Sequence, residues 1–225
     1  MWGLVLAGML SASAVEVNGA VVAELRHEVQ TGTLLFSQGD CLAIKVFSGS
    51  RFTHVGAVVV EDGRAWVYDS MNGAGVRRQS LEDYVRFLVP SDVWVLHPAR
   101  PMTDDEAHTF VRHLNSQLGR PYRIKHYSTG HRTDGLHCAE YITDALIAMG
   151  WFTAREPARV SPGSLWQGVT WSGRYVDGGA YTLVEPVAPA VARDESWCQW
   201  SWRETRECCG ACCRQLSRWF LCRSK

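Results

Sequence analysis

Two residues far apart in the chain carry the chemistry that this sequence can do. His54 lies in Arg51-Phe52-Thr53-His54-Val55-Gly56-Ala57-Val58-Val59-Val60, where it opens an apolar β-run. Cys138 lies in Gly135-Leu136-His137-Cys138-Ala139-Glu140-Tyr141-Ile142, just ahead of an amphipathic helix. A thiol near neutral pH is mostly protonated and needs a base or an electropositive site to become a nucleophile. Backbone N–H groups at a helix start favour the thiolate, and a histidine at a strand end can present the base. An imidazole in that role needs a partner to hold its tautomer, usually a carboxylate. Asp69 lies on the return strand of the hairpin that His54 opens, and adjacent antiparallel strands can set the two side chains on one face. The set reads as a cysteine hydrolase or acyltransferase in which histidine precedes cysteine.

The elements that must position these residues are legible around them. Val55 to Val60 is a strand closed by Glu61-Asp62-Gly63-Arg64, a hairpin turn, and Ala65 to Ser70 is the return strand. After Asn72-Gly73-Ala74-Gly75, Val76 to Gln79 forms another strand and Ser80-Leu81-Glu82-Asp83-Tyr84 opens a short capped helix. Val93 to Leu96 is a further strand, and Cys41 to Phe47 reads as a strand after the turn at Gly39-Asp40. Ala20 to Val29 suits one helix. Thr103-Asp104-Asp105-Glu106 caps a second that runs to about Leu118 and stops at Gly119-Arg120-Pro121. Tyr122 to Gly135 is polar and histidine-rich, a loop. Cys138 to Met149 is a helix ended by Gly150, and residues 161–187 read as turns with two short β-runs. The class is α+β, a small antiparallel sheet with helices against it.

Gly39-Asp40, Phe52-Thr53-His54-Val55-Gly56, Tyr68-Asp69-Ser70, Pro121-Tyr122 and His137-Cys138-Ala139-Glu140-Tyr141 follow one another in that order. The order resembles the circularly permuted NlpC/P60 hydrolases, the YiiX-like permuted papain-like amidases, over residues 31–187. The resemblance implies a circularly permuted papain-like fold: a small antiparallel sheet or half-barrel packed on helices, with the nucleophile at a helix N-terminus. It implies Cys138 as nucleophile, His54 as base and Asp69 as orienting acid, with no cofactor. Glu140, Tyr122 and Asp40 then stand beside the site in substrate-binding or structural roles, the structural one favoured for Glu140. Asp69 occupies a place where members commonly carry Glu, and Arg123 one where they often carry an acidic residue. The reaction implied is acyl transfer through a thioacyl-enzyme, cleaving an amide or ester of a small acyl, peptide or lipid-linked substrate. The Cys138 backbone N–H is a natural oxyanion donor. Two other readings stand beside it. One is a lipid acyltransferase of the lecithin:retinol type, whose thiol context Asn-Cys-Glu-His differs from His137-Cys138-Ala139-Glu140. The other is a catalytically idle, membrane-associated binding module.

The rest of the sequence bounds these readings. Lys+Arg and Asp+Glu number 23 each over 225 residues, so no basic field gathers phosphates and nucleic-acid binding is excluded as the main role. No stretch reaches the length of a transmembrane helix. Three parts are expected: an N-terminal segment 1–30, a catalytic domain 31–187, and an Ala/Pro linker with a Cys/Trp-rich tail, 188–225. Met1 to Ala14 reads first as a packed N-terminal strand or helix and second as a secretory signal cleaved at Ala12-Ser13-Ala14. A cytoplasmic or membrane-associated location is therefore favoured, with secretion if that segment acts as a signal.

Of eight cysteines, Cys41 and Cys138 lie in the body, while Cys198, Cys208, Cys209, Cys212, Cys213 and Cys222 crowd the tail. For the tail, an extension without a defined role ranks first, S-acylation and membrane-surface attachment second, and metal binding third. Cys41 reads as core. His126, His131 and His137 match no standard ligand spacing with Cys138, so no metal is expected in the domain. His137 adjoins the thiol in sequence, but neighbouring helical side chains diverge, which makes it a poor rival to His54. Trp66, Trp94, Trp151, Trp166 and Trp171 read as packing or turn residues.

Overall fold

Residues 13–38 and 50–185, with Arg206, are described by a computed structural model of the chain. Asp40, the strand expected at Cys41–Phe47, the segment before Ser13 and the tail cysteines lie outside the described residues. Six strands are β1 (Leu34–Ser37), β2 (His54–Glu61), β3 (Arg64–Met71), β4 (Gly75–Ser80), β5 (Asp92–Pro98) and β6 (Tyr175–Thr182). They form one antiparallel sheet in the order β4-β3-β2-β1-β5-β6. The hairpin between β2 and β3 turns at Asp62 and Gly63, both at positive φ (50° and 73°), the two-residue geometry that matches strand twist.

The helices are α1 (Ala14–Glu28), α2 (Leu81–Leu88), α3 (Asp104–Ser116), α4 (Lys125–Thr129), α5 (Cys138–Ala148) and α6 (Pro162–Trp171), with a 3₁₀ turn at Pro157–Arg159. They cover both faces of the sheet. On one face Val55, Ala57, Val59 and Tyr68 pack with Ile142 and Ala145 of α5, Phe110 and Leu114 of α3, and Leu165 of α6. On the other, Val58, Val67 and Val95 pack with Leu25 of α1 and with Leu81, Tyr84 and Val85 of α2. Among the described residues no helix is long and apolar enough to cross a membrane.

Several elements depart from the sequence expectation. The N-terminal helix starts at Ala14 rather than Ala20, because Ser13 and Glu16 close a reciprocal capping box at its start. Of the stretch 161–187, the described residues 161–185 hold one helix and one strand instead of two β-runs. Ser161 caps α6 by accepting from the Ser164 N–H, and Pro162 sits where a helix tolerates its missing donor. The loop after Tyr122 contains the single turn of α4. Trp66, Trp94, Trp151 and Trp166 do pack against the core, but Trp171 is 92% exposed at the end of α6.

Candidate active site

The sheet ends where β2 begins and β3 finishes, and the charged groups gather there. His54 is the first residue of β2, opposite Ser37 of β1, and only 6% of it is exposed. Asp69, two residues before the end of β3, is fully buried. Continuing the β2–β3 register from Ala57 opposite Tyr68 brings Asp69 opposite Gly56, one diagonal from His54. The absence of a side chain at Gly56 matters here. A Cβ there would come within 2.8 Å of Val67 and 3.1 Å of the Tyr84 hydroxyl, whose ring lies 6.1 Å from the His54 ring. His54 Nε2 then meets Asp69 Oδ2 at 3.0 Å.

Arg77 completes this side of the site. It stands directly opposite Asp69 on β4, and its Nε donates to Asp69 Oδ1 at 2.8 Å while its Nη2 donates to Oδ2 at 3.3 Å. Its guanidinium lies 4.9 Å over the Phe87 ring of α2. Burial pushes the Asp69 carboxyl up, but the bonds from His54 and Arg77 outweigh it and hold the group below its ordinary value. Sequence reasoning missed Arg77, because its only signal is a β3–β4 register that residue types do not give.

Cys138 is the first residue of α5 and is 2% exposed. Burial pushes its thiol up, yet hydrogen bonds and charge from His137 and His54 outweigh burial and lower it to about 6. His54 moves the other way. Burial pulls the imidazole down, while Asp69 and the thiolate raise it to about 9. With Nε2 bonded to Asp69, Nδ1 is the ring nitrogen left for the thiol. Each group thus favours the charged form of the other, with His137 adding to the effect on the thiol.

His137 departs from the sequence expectation. It lies outside the helix as its N-cap (φ −94°, ψ 166°), so the divergence of neighbouring helical side chains does not remove it from the thiol. Its Nδ1 accepts from the Glu140 N–H at 3.3 Å, and its Nε2 meets the Ala158 carbonyl at 2.9 Å. Burial lowers this imidazole, but Cys138, the Ala158 carbonyl and Glu140 together draw it above its ordinary value. Glu140 is fully buried. Arg132 Nε approaches one of its oxygens to 3.2 Å, and Arg132 also pairs with Asp144 at 2.5 Å.

Tyr122 is half-buried and bridges to Leu136. Burial and then the charge of Cys138 raise its phenol, which keeps it protonated beside the thiol. The strand of chain leading to Cys138 is held closely. A Cβ on Gly135 would strike the Pro121 carbonyl at 2.3 Å, and the Ser70 hydroxyl donates to the Leu136 carbonyl at 2.7 Å. Among the described residues no three His, Cys, Asp or Glu side chains are grouped to hold a metal ion. Of the expected site residues, Cys138, His54, Asp69, Tyr122 and Glu140 thus gather around the start of α5, and Asp40 lies outside the described residues.

No family model matches the sequence, and no curated protein matches it. Among solved structures the chain resembles the crystal structure of the metalloprotein yiiX from Escherichia coli O157:H7, with a TM-score of 0.52 at 16% identity. The match covers 71% of this chain and 98% of that one. At that identity the likeness is one of fold: the chain carries a YiiX-like arrangement of a six-stranded antiparallel sheet packed on helices.

Proposed function

We propose that the chain is a cysteine hydrolase of the circularly permuted papain-like kind, cleaving an amide or ester bond through a Cys138–His54–Asp69 triad. One observation carries the reading: a buried imidazole bonded to a buried carboxylate at 3.0 Å stands beside a thiol at a helix N-terminus. In the resting state the thiol proton rests on His54, whose imidazolium Asp69 stabilises. Cys138 Sγ attacks the carbonyl carbon, and the developing oxyanion is met by the Cys138 backbone N–H. Tyr122, whose phenol burial and the Cys138 charge keep protonated, would be a side-chain donor to it. His54 gives its proton to the leaving amine or alcohol, the C–N or C–O bond breaks, and a thioester remains on Cys138. Neutral His54 then takes a proton from water, which attacks the thioester and releases the carboxylic acid. A second acceptor in place of water would make the same site an acyltransferase. Glu140, outside this proton path, holds the start of α5 together with Arg132.

The test is alkylation of Cys138 by iodoacetamide across pH, read site by site by mass spectrometry of the full chain. The wild type is expected to react with an apparent pKa near 6. His54→Ala should move that value up, with part of the depression kept by His137. A Cys138 that titrates like a free thiol and ignores His54 overturns the reading.

A further inference from the structure

Asp69 has two cationic partners, and only one of them faces the thiol. Arg77 reaches the carboxylate from the edge strand β4 with two donors, at 2.8 and 3.3 Å, and its side chain is 25% exposed against none for Asp69. The helix behind it supplies two aromatic rings to this one cluster. Phe87 lies under the Arg77 guanidinium at 4.9 Å, and Tyr84 lies 6.1 Å from the His54 ring. The groups facing Asp69 and its imidazole are therefore Arg77 from β4, His54 from β2, Tyr84 from α2 and Cys138 from α5. Tyr122 and His137 also act on the thiol.

Resting on the triad reading, we propose that Arg77 is a positioning residue for the reaction, acting through Asp69. Its fork fixes the plane in which the Asp69 carboxylate meets His54. Arg77 Nε binds Oδ1 and its Nη2 binds Oδ2, the oxygen that also meets His54 Nε2. Its charge also joins His54 in keeping a fully buried carboxylate ionised, and goes on doing so once His54 has given up its proton. A rigid, bidentate guanidinium serves both ends, and a lysine ammonium serves only the second. Phe87 under the guanidinium limits its other rotamers. A merely structural Arg77 would change how firmly β4 is held without touching the titration of Cys138.

The experiment compares wild type with Arg77→Met, Arg77→Lys and Asp69→Asn in the full chain, using the pH profile of Cys138 alkylation and turnover of an activated amide. Loss of the positive charge in Arg77→Met should raise the acid limb by about half a unit to one unit, since Asp69 takes up a proton and no longer stabilises the imidazolium beside the thiolate. Arg77→Lys should keep the acid limb near its place and lower turnover through the lost second donor. On an Asp69→Asn background, adding Arg77→Met should change neither readout, because a residue acting only through Asp69 has nothing left to act on. That double variant also removes the buried carboxylate together with its partner, so it supplies the answer if Arg77→Met alone does not fold. An unmoved acid limb in folded Arg77→Met, or a further loss in the double variant, overturns the proposal. A wild-type Cys138 with an ordinary thiol profile would instead sink the triad reading itself, and the two failures are told apart by the wild-type curve.

Discussion

Cys138 stands between two sets, each a histidine, a carboxylate and an arginine. On one side are His54, Asp69 and Arg77; on the other, His137, Glu140 and Arg132. Both carboxylates are fully buried. They differ in what reaches what. Asp69 bonds its histidine at 3.0 Å and its arginine at 2.8 Å, whereas the nearest Glu140 oxygen is 3.9 Å from His137 Nε2. That nitrogen is engaged by the Ala158 carbonyl, and the other by the Glu140 N–H. His54 has a nitrogen free of the backbone for the thiol; His137 also reaches the thiol, but each of its nitrogens has a backbone partner. The first set draws its members from three strands and takes its geometry from their register. The second comes from residues 132–140 and caps one helix. In the proposed reading, what sets His54 apart as base is a nitrogen free of the backbone and backed by an ionised carboxylate.

The contrast can be broken most directly at the histidines. His54→Ala should lower kcat/KM on an amide or ester substrate by about 10²–10⁴-fold, the range of a lost acid–base group. His137→Ala should lower it by less than about tenfold, since no proton passes through it. Its main effect should be the loss of a cap, about 0.5–2 kcal/mol in urea unfolding. Equal losses of rate would erase the distinction. The carboxylates sharpen it next. Asp69→Asn should cost about 10²-fold or more in kcat by disturbing the imidazole's tautomer and charge. Glu140→Gln should leave kcat within about threefold and cost about 1–2 kcal/mol of stability, because its partner Arg132 is half exposed.

The subtlest mark is the pH profile. The active pair forms as Cys138 loses its proton near pH 6 and is lost as His54 gives up its proton near pH 9, so kcat/KM should be bell-shaped between those limbs. In His137→Ala the acid limb alone should move up, because one of the two imidazoles that lower the thiol is gone.

Much of this arrangement could be read from the chain, and the remainder fails for identifiable reasons. The β2–β3 hairpin announced itself through Asp62-Gly63, and α5 through its apolar spacing and Gly150. The strand Leu34–Ser37 went unread although it lies between β2 and β5 in the sheet. It is buried on both faces, so it shows no alternation to mark it. In α6 the Ser161-Pro162-Gly163 start looks like a turn, and only the capping geometry shows it to be a helix. His54, Asp69 and Cys138 were visible as types in order. Arg77 was not, because a salt bridge across two strands depends on a register that one residue of slip would reverse.

The hydrogen bond from Ser70 to the Leu136 carbonyl has a consequence for how this protein fails. Ser70 follows Asp69 in the chain, and Leu136 lies two residues before Cys138, so the acid and the nucleophile are tied through their neighbours. Ser70 is fully buried and Leu136 nearly so, and parting them would strand a polar group in the core, at a cost of about 1–3 kcal/mol. The site therefore has no loosened, half-working state to pass through. Heat or urea should abolish Cys138 reactivity at the same midpoint as near-ultraviolet circular dichroism, in one step with the core rather than ahead of it.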